Sequence, residues 1–334
     1  MKHLSKFFNN LKAPRPLYLY LAGAVLCVLA IALNLLLGSA SLSPTELFSD
    51  VGIRILLYVR LPRLLSCLVA GGALATAGAV VQGVLNNRLA SPSILGVNAG
   101  AGFAITLCTA LGFLGSWVTT LFSFFGAFFA VVLIALGAQK FSASRGTVIL
   151  AGVALNALFN AFSSTIVTLN PEVGVMSNDF RVGDFSAATY SALLPAAILT
   201  VVTLLLLFIL ANDLDVLCLG NESARSLGMN VPRVRTLFLL LTALLAGSAV
   251  MLAGLLSFVG LIVPHTVRML GVKRARHLLP LSALYGAAFT ALCDLIARML
   301  FSPYEIPVGI IMAFLGSPFF LALLIRQKGG HAHD

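Results

Sequence analysis

Along this chain, apolar runs of about 20 residues alternate with short polar segments; that is the length a helix needs to cross roughly 30 Å of hydrocarbon. Ten runs can be marked, at about 17–37, 61–84, 94–114, 117–138, 147–169, 190–211, 236–253, 257–270, 278–300 and 306–325. Inside them Gly, Ala or Ser recurs at every fourth position. Gly71, Ala75, Ala79 and Gly83 form one stripe, and Gly96, Gly100 and Ala104 another. That spacing puts small residues on one helix face, where neighbouring backbones approach closely in lipid. The pattern predicts an all-α, polytopic membrane protein of about ten transmembrane helices. Its single transmembrane unit covers 17–326, after a basic segment at 1–16 and before a short tail at 327–334. The first run lacks a clear small-residue cleavage site and reads as a retained helix.

The tightest stretch is 236–270, where about 35 residues must hold two crossings, each near or below the usual lower limit of about 17 residues. Gly254, Gly260 and Pro264 predict short, broken helices, tolerable where protein rather than lipid covers the backbone. Ala70–Val97 and Leu245–Gly271 also echo one another, each an Ala/Gly-rich helix, a break and a second apolar stretch, as in repeat-built transporters. The polar segments 38–58 and 170–189 leave room for short surface helices. Segment 212–235 is the most structured connector. Asn221 is placed to cap a helix of roughly two turns and Gly228 to close it, with Pro232 following.

Composition agrees: 60% of the 334 residues are hydrophobic and 10% charged, against roughly 25% charged in a soluble domain. The net charge of +10 is explained by topology. With ten alternating spans and a cytoplasmic amino terminus, all but five of the 21 Lys and Arg fall on the inner side; the five are Arg54, Arg60, Arg63, Arg181 and Arg298. This positive-inside bias places both termini in the cytoplasm and leaves no footprint for nucleic acid. Glu46, Asp50, Glu172, Asp179, Asp184 and Glu305 lie in outer segments.

Catalytic chemistry is not legible. There is no Walker A loop, no Ser-His-Asp arrangement and no zinc-protease motif. The five cysteines lack metal-site spacing and read as small core hydrophobes, and His265 after Pro264 as a satisfied structural histidine. No metal site or cofactor is expected. Asp294 and Arg298, four apart on one helix, can form a local ion pair; alternatively Arg298 joins Arg60 and Arg63 as an outer-face cluster for an acidic partner. Amides at Asn34, Gln82, Asn98, Asn156 and Asn160 sit within spans. Asn156 and Asn160 share a face and either line a polar path or bond across helices.

Several stretches resemble the permease subunits of bacterial ferric-siderophore and cobalamin ABC importers, the FecCD-type transmembrane subunits of type II importers. They are Arg60-Leu61-Pro62-Arg63, Gly78-Ala79-Val80-Val81-Gln82-Gly83, Asn87 to Val97, Leu219 to Gly228, Gly260 to His265, Asp294 to Arg298, Glu305 to Gly309 and Gly316 to Phe320. The resemblance spans about residues 20–326. It implies a type II ABC importer permease fold of ten helices in the bacterial cytoplasmic membrane. A second permease subunit (identical or different), two cytoplasmic ATPase subunits and an external substrate-binding protein complete the assembly. ATP is then hydrolysed by a separate chain, and this one is not an enzyme. The cargo implied is a ferric siderophore, with cobalamin or haem as alternatives; an ion-coupled secondary transporter is the reading from another class. Within 219–228, the resemblance makes Leu219, Gly220, Glu222, Ser223, Ala224, Arg225, Leu227 and Gly228 a coupling helix for the ATPase. Arg60, Arg63 and Arg298 match outer arginines that pair with carboxylates of the binding protein. Leu89 falls at the inner narrowing of the pathway, with Arg88 where family members usually carry Pro.

Overall fold

A computed structural model describes residues 16–38, 49–113, 116–140 and 144–328; the expected basic segment before Pro16 and the end of the tail lie outside them. The described elements are all helical. They are α1 (Pro16–Leu36), α2 (Asp50–Ile55), a π turn (Leu56–Arg60), α3 (Leu61–Val84), a 3₁₀ turn (Pro92–Leu95) and α4 (Val97–Ala110). Next come α5 (Ser116–Lys140), α6 (Arg145–Leu169), α7 (Pro171–Met176), α8 (Asn178–Val182), α9 (Tyr190–Ile209), α10 (Ala211–Cys218) and α11 (Asn221–Ser226). The last four are α12 (Val231–Ala253), α13 (Val259–Met269), α14 (Ala275–Met299) and α15 (Val308–Lys328).

Each of the ten apolar runs coincides with a helix. Among the described residues seven helices are long and apolar enough to cross a membrane: α1, the continuous α2–α3 rod, α5, α6, α9, α12 and α14. The shortage expected over 236–270 falls on one crossing alone. α12 begins at Val231 and has 23 residues, whereas α13 has 11, or about 16 Å of rise. The break between them is satisfied by backbone from the 170–189 segment. Leu255 N–H donates to the Phe180 carbonyl at 2.9 Å, and Asp184 N–H to the Ala253 carbonyl at 2.9 Å. Irregular backbone is thus covered by protein. Phe258 holds a left-handed conformation (φ 67°) there, with its ring packed over Gly316 of α15.

Side-chain contacts show the up-and-down order. The end of α1, the start of α3, the end of α14 and the segment before α15 meet at one pole, through Asn34, Arg63, Arg298 and Glu305. At the other pole the start of α14 meets α10 (Asp215) and α1 (Tyr20 with His277), and the start of α6 meets the end of α10. α3 lies on α14, and α12 on α5.

α3 is the axis of the molecule. From Ala70 to Val84 every residue is buried, enclosed by α9, α12, α13 and α14. Its small residues, within the stripe and beside it, are what let them in. A methyl on Gly71 would overlap the Gly286 carbonyl and Thr290 of α14, and one on Gly78 would overlap Gly260 of α13. Gly100 and Gly126 meet in the same mutual way between α4 and α5. Gly78→Leu is therefore expected to destabilise the bundle by about 1–3 kcal/mol or more, read as a lower melting temperature and aggregation in size-exclusion chromatography. Gly137→Ala, whose methyl meets nothing within 4 Å, should leave both unchanged.

Candidate functional site

The connector between α9 and α12 projects from one pole. Its helix covers six residues, Asn221–Ser226, close to the roughly two turns expected. Gly220 (φ 115°), not Asn221, occupies the N-cap, and the Asn221 side chain accepts a hydrogen bond from Arg235 Nη2 at 2.9 Å instead. Gly228 closes the helix as expected, in the left-handed region at φ 84°, where glycine alone is unstrained. Its N–H donates to the Arg225 carbonyl, and Met229 N–H to that of Ala224. Ala224 faces inward, while Glu222, Ser223 and Arg225 face solvent. Leu219 and Leu227 flank the helix at 64% and 65% exposure, an apolar pair standing on a polar surface.

Beneath this helix, α10 anchors it. The Asp215 carboxylate accepts from Ala275 N–H at 2.8 Å, supplying an acceptor to the first turn of α14 where orphan donors collect. Arg145 Nη2 donates to the Leu217 carbonyl at 3.1 Å, tying in α6. Cys218 departs from expectation in being exposed. Its sulfur lies beside Gly83, and partial burial there, then the neighbouring Asp215 carboxylate, push the thiol up from its ordinary value.

The amides divide into distinct roles. Gln82 is buried between α3 and α13, donating to the Gly260 carbonyl at 3.2 Å and accepting from Arg268. Asn156 is a bridge: its Nδ2 lies 3.1 Å and 3.3 Å from the Ser93 and Ile94 carbonyls and 3.0 Å from that of Gly152. Asn98 is half-buried and Asn160, one turn beyond Asn156, is exposed. The two amides on the α6 face are thus separated, one bonding across to the 3₁₀ turn and one directed outward. Leu89 is half-buried, its N–H held by Asn87 Oδ1 at 2.9 Å. His265 is not the satisfied residue expected; its Nδ1 is buried without a hydrogen-bond partner, and its ring edge meets Phe319.

At the opposite pole, the three outer arginines are not exposed charges. Arg60, Arg63 and Arg298 are 5%, 7% and 5% exposed. Asp294, fully buried, is gripped from two sides. Arg63 donates to it through Nε at 3.1 Å and Nη2 at 3.0 Å, and Arg298 Nε lies 3.0 Å from Oδ2, an ionic contact without hydrogen-bond alignment. Arg63 also donates to Glu305 at 2.7 Å, with Asp184 at 3.8 Å. Arg298 reaches Asn34 of α1, and Arg60 donates to the Leu35 and Leu36 carbonyls at 2.7 Å and 3.1 Å, capping the negative end of α1. A carboxylate taken out of water needs such compensation, which is why these guanidiniums turn inward. The π turn before α3 accommodates Pro62: the ring cannot donate to, and would clash with, the Tyr58 carbonyl in a regular helix. The local Asp294–Arg298 pair was legible from spacing; Asn34, Asp184 and Glu305, distant in sequence, were not. Among the described residues no cluster of His, Cys, Asp and Glu could hold a metal ion.

A helical bundle with this packing, bearing a short exposed helix on the connector before α12, is the permease subunit of an ABC importer, a transport component whose ATPase is a separate chain. The FecCD transport family matches residues 26–326, and the chain belongs to it. It is 36% identical over 304 residues to the hemin transport permease HmuU of Yersinia pestis, covering 87% of this chain and 90% of the relative. It is 34% identical over 322 residues to the vitamin B12 import permease BtuC of Yersinia pseudotuberculosis (93% and 94%). Among solved structures it matches an inward-facing metal-chelate type ABC transporter at a TM-score of 0.85 and 31% identity, over 93% of this chain and 100% of that one.

Replacing Arg63 with Glu removes one of the two guanidiniums that hold Asp294 and adds a negative charge beside it. The expected loss is about 3–5 kcal/mol, seen as a fall in melting temperature that high salt does not restore. Arg63→Lys should recover only part, since one ammonium cannot reproduce the forked contacts.

Proposed function

We propose that this chain, with a second permease subunit, forms the pathway of an ATP-driven importer that brings a ferric siderophore or a related iron chelate across the bacterial cytoplasmic membrane. Two cytoplasmic ATPase subunits drive it and an external binding protein delivers the cargo. The observation that carries the reading is the exposed α11 segment with its flanking Leu219 and Leu227. An apolar pair on an otherwise polar helix is a surface prepared for burial against a partner. The relatives named for hemin, vitamin B12 and a metal chelate share a metal-centred chelate as cargo, which supports the substrate class. The positive-inside bias supports a cytoplasmic position for α11 and both termini. Leu89 and Gln82 are assigned to the inner part of the pathway, with Asn98, Asn156 and Asn160 along it.

Docking is proposed at the rim formed by α7, α8 and the segment around Glu305. Arg60, Arg63 and Arg298 act there from beneath, fixing the rim's shape. The ion-coupled alternative needs a titratable carboxylate in mid-membrane. Asp294 is the one deep in a crossing helix among the described residues, and two guanidiniums hold it.

ATP-driven uptake by the reconstituted complex tests the assignment. In Glu222→Ala, Arg225→Ala and Gly228→Val, uptake should fall about tenfold relative to ATP hydrolysis, a loss of ~1.4 kcal/mol of coupling; unchanged uptake in all three would remove α11 from the ATPase interface. Separately, Ser223→Cys should react with a membrane-impermeant thiol reagent only from the cytoplasmic side.

A further inference from the structure

A cavity of about 530 Å³ opens at the pole that carries α11. Its size lies within the roughly 300–1,000 Å³ range of small-molecule sites. Arg88 lines it from the loop after α3, Asp215 and Cys218 from α10, His265 and Arg268 from α13, and Lys273 from the turn before α14. Three basic side chains, Arg88, Arg268 and Lys273, thus face one carboxylate, and that carboxylate already accepts the Ala275 N–H. Arg268 donates only to neutral acceptors, Gln82 Oε1 and the Ala79 carbonyl. Among the described residues, none of the ion pairs includes Arg88, Arg268 or Lys273. His265 Nδ1 is buried there without a partner. Like charges gathered around a partly desolvated space repel one another, and a guanidinium without a counter-charge is costly.

We propose that this cavity is a binding site for a small polyanion bearing carboxylate or phosphate groups. Such a ligand supplies the counter-charge that the chain does not, and forms charge-assisted hydrogen bonds with the guanidiniums. Since α10 forms one wall and leads directly into α11, an occupant would brace the coupling segment against α13. Two sources share this chemistry: an acidic metal chelate arriving along the pathway, and a phosphate compound from the surrounding solution. The inference rests on the cavity's lining; only the chelate as a source of the ligand rests on the transport assignment.

Cys218 provides the probe, being the exposed cysteine at the cavity while Cys67, Cys108 and Cys293 are buried. Maleimide alkylation of the full chain in lipid nanodiscs is followed by peptide-resolved mass spectrometry at constant ionic strength. The additives are pyrophosphate, ferric citrate and, as a neutral control, glucose. At about 1 mM, a polyanion should slow Cys218 alkylation about tenfold, as a site of ~0.1 mM affinity would. The double variant Arg88→Gln/Lys273→Gln, both exposed positions, should abolish the protection at an unaltered melting temperature. Protection by pyrophosphate assigns a phosphate ligand; protection by ferric citrate alone assigns the chelate. Equal rates with every additive, protection by glucose, or protection that survives in the double variant would each overturn the proposal.

Discussion

Close approach of backbones around α3 governs the rest of the structure. In lipid there is no hydrophobic drive between helices, so association depends on van der Waals contact and on leaving no backbone group unsatisfied. Gly71 against Gly286 and Gly78 against Gly260 bring α14 and α13 within backbone contact of α3, a distance that any side chain would forbid. Once those two helices are placed, the short α13 can exist. It does not need to span the hydrocarbon alone, because α3, α14 and α15 cover it and α8 completes the hydrogen bonds of the break that precedes it.

The same closeness makes the buried charges tolerable. Asp294 lies on the α14 face that meets α3, one helical turn beyond Thr290, and its counter-charge Arg63 lies on the facing turn of α3. Apposed helices at that distance hold both groups in fixed geometry, so their attraction is not eroded by side-chain entropy or water, as it is for exposed pairs. Glu305 and Asp184 then join from connecting segments, so that one guanidinium organises three separate parts of the chain.

Much of this was legible in the sequence because it is local or periodic. Ten apolar runs, four-residue stripes of small residues and the Asp294–Arg298 spacing each encode their own structure over a few turns. What escaped was set by partners far away in the chain. Arg60 and Arg63 read as outward charges because a positive residue at a helix end ordinarily snorkels to water; only the presence of Asp294 and the α1 carbonyls turns them inward. Asn221 looked like a cap by residue type, yet Arg235, fourteen positions on, claims its side chain and leaves the cap to Gly220. The π turn was likewise hidden, although Pro62 carried its signal.

One helix joins the two poles. The first turn of α14 is held by Asp215 of α10, the helix that leads into α11, and its last turns carry Asp294 and Arg298. Over its 25 residues an α-helix rises about 37 Å, so displacement of α10 has a continuous, close-packed element through which to reach the charge cluster. Pro280 sits within the second turn and removes a backbone hydrogen bond there. The cluster at the far end is a set of paired charges with discrete partners rather than a soft apolar contact, so it holds that end of α14 against α3 in one geometry.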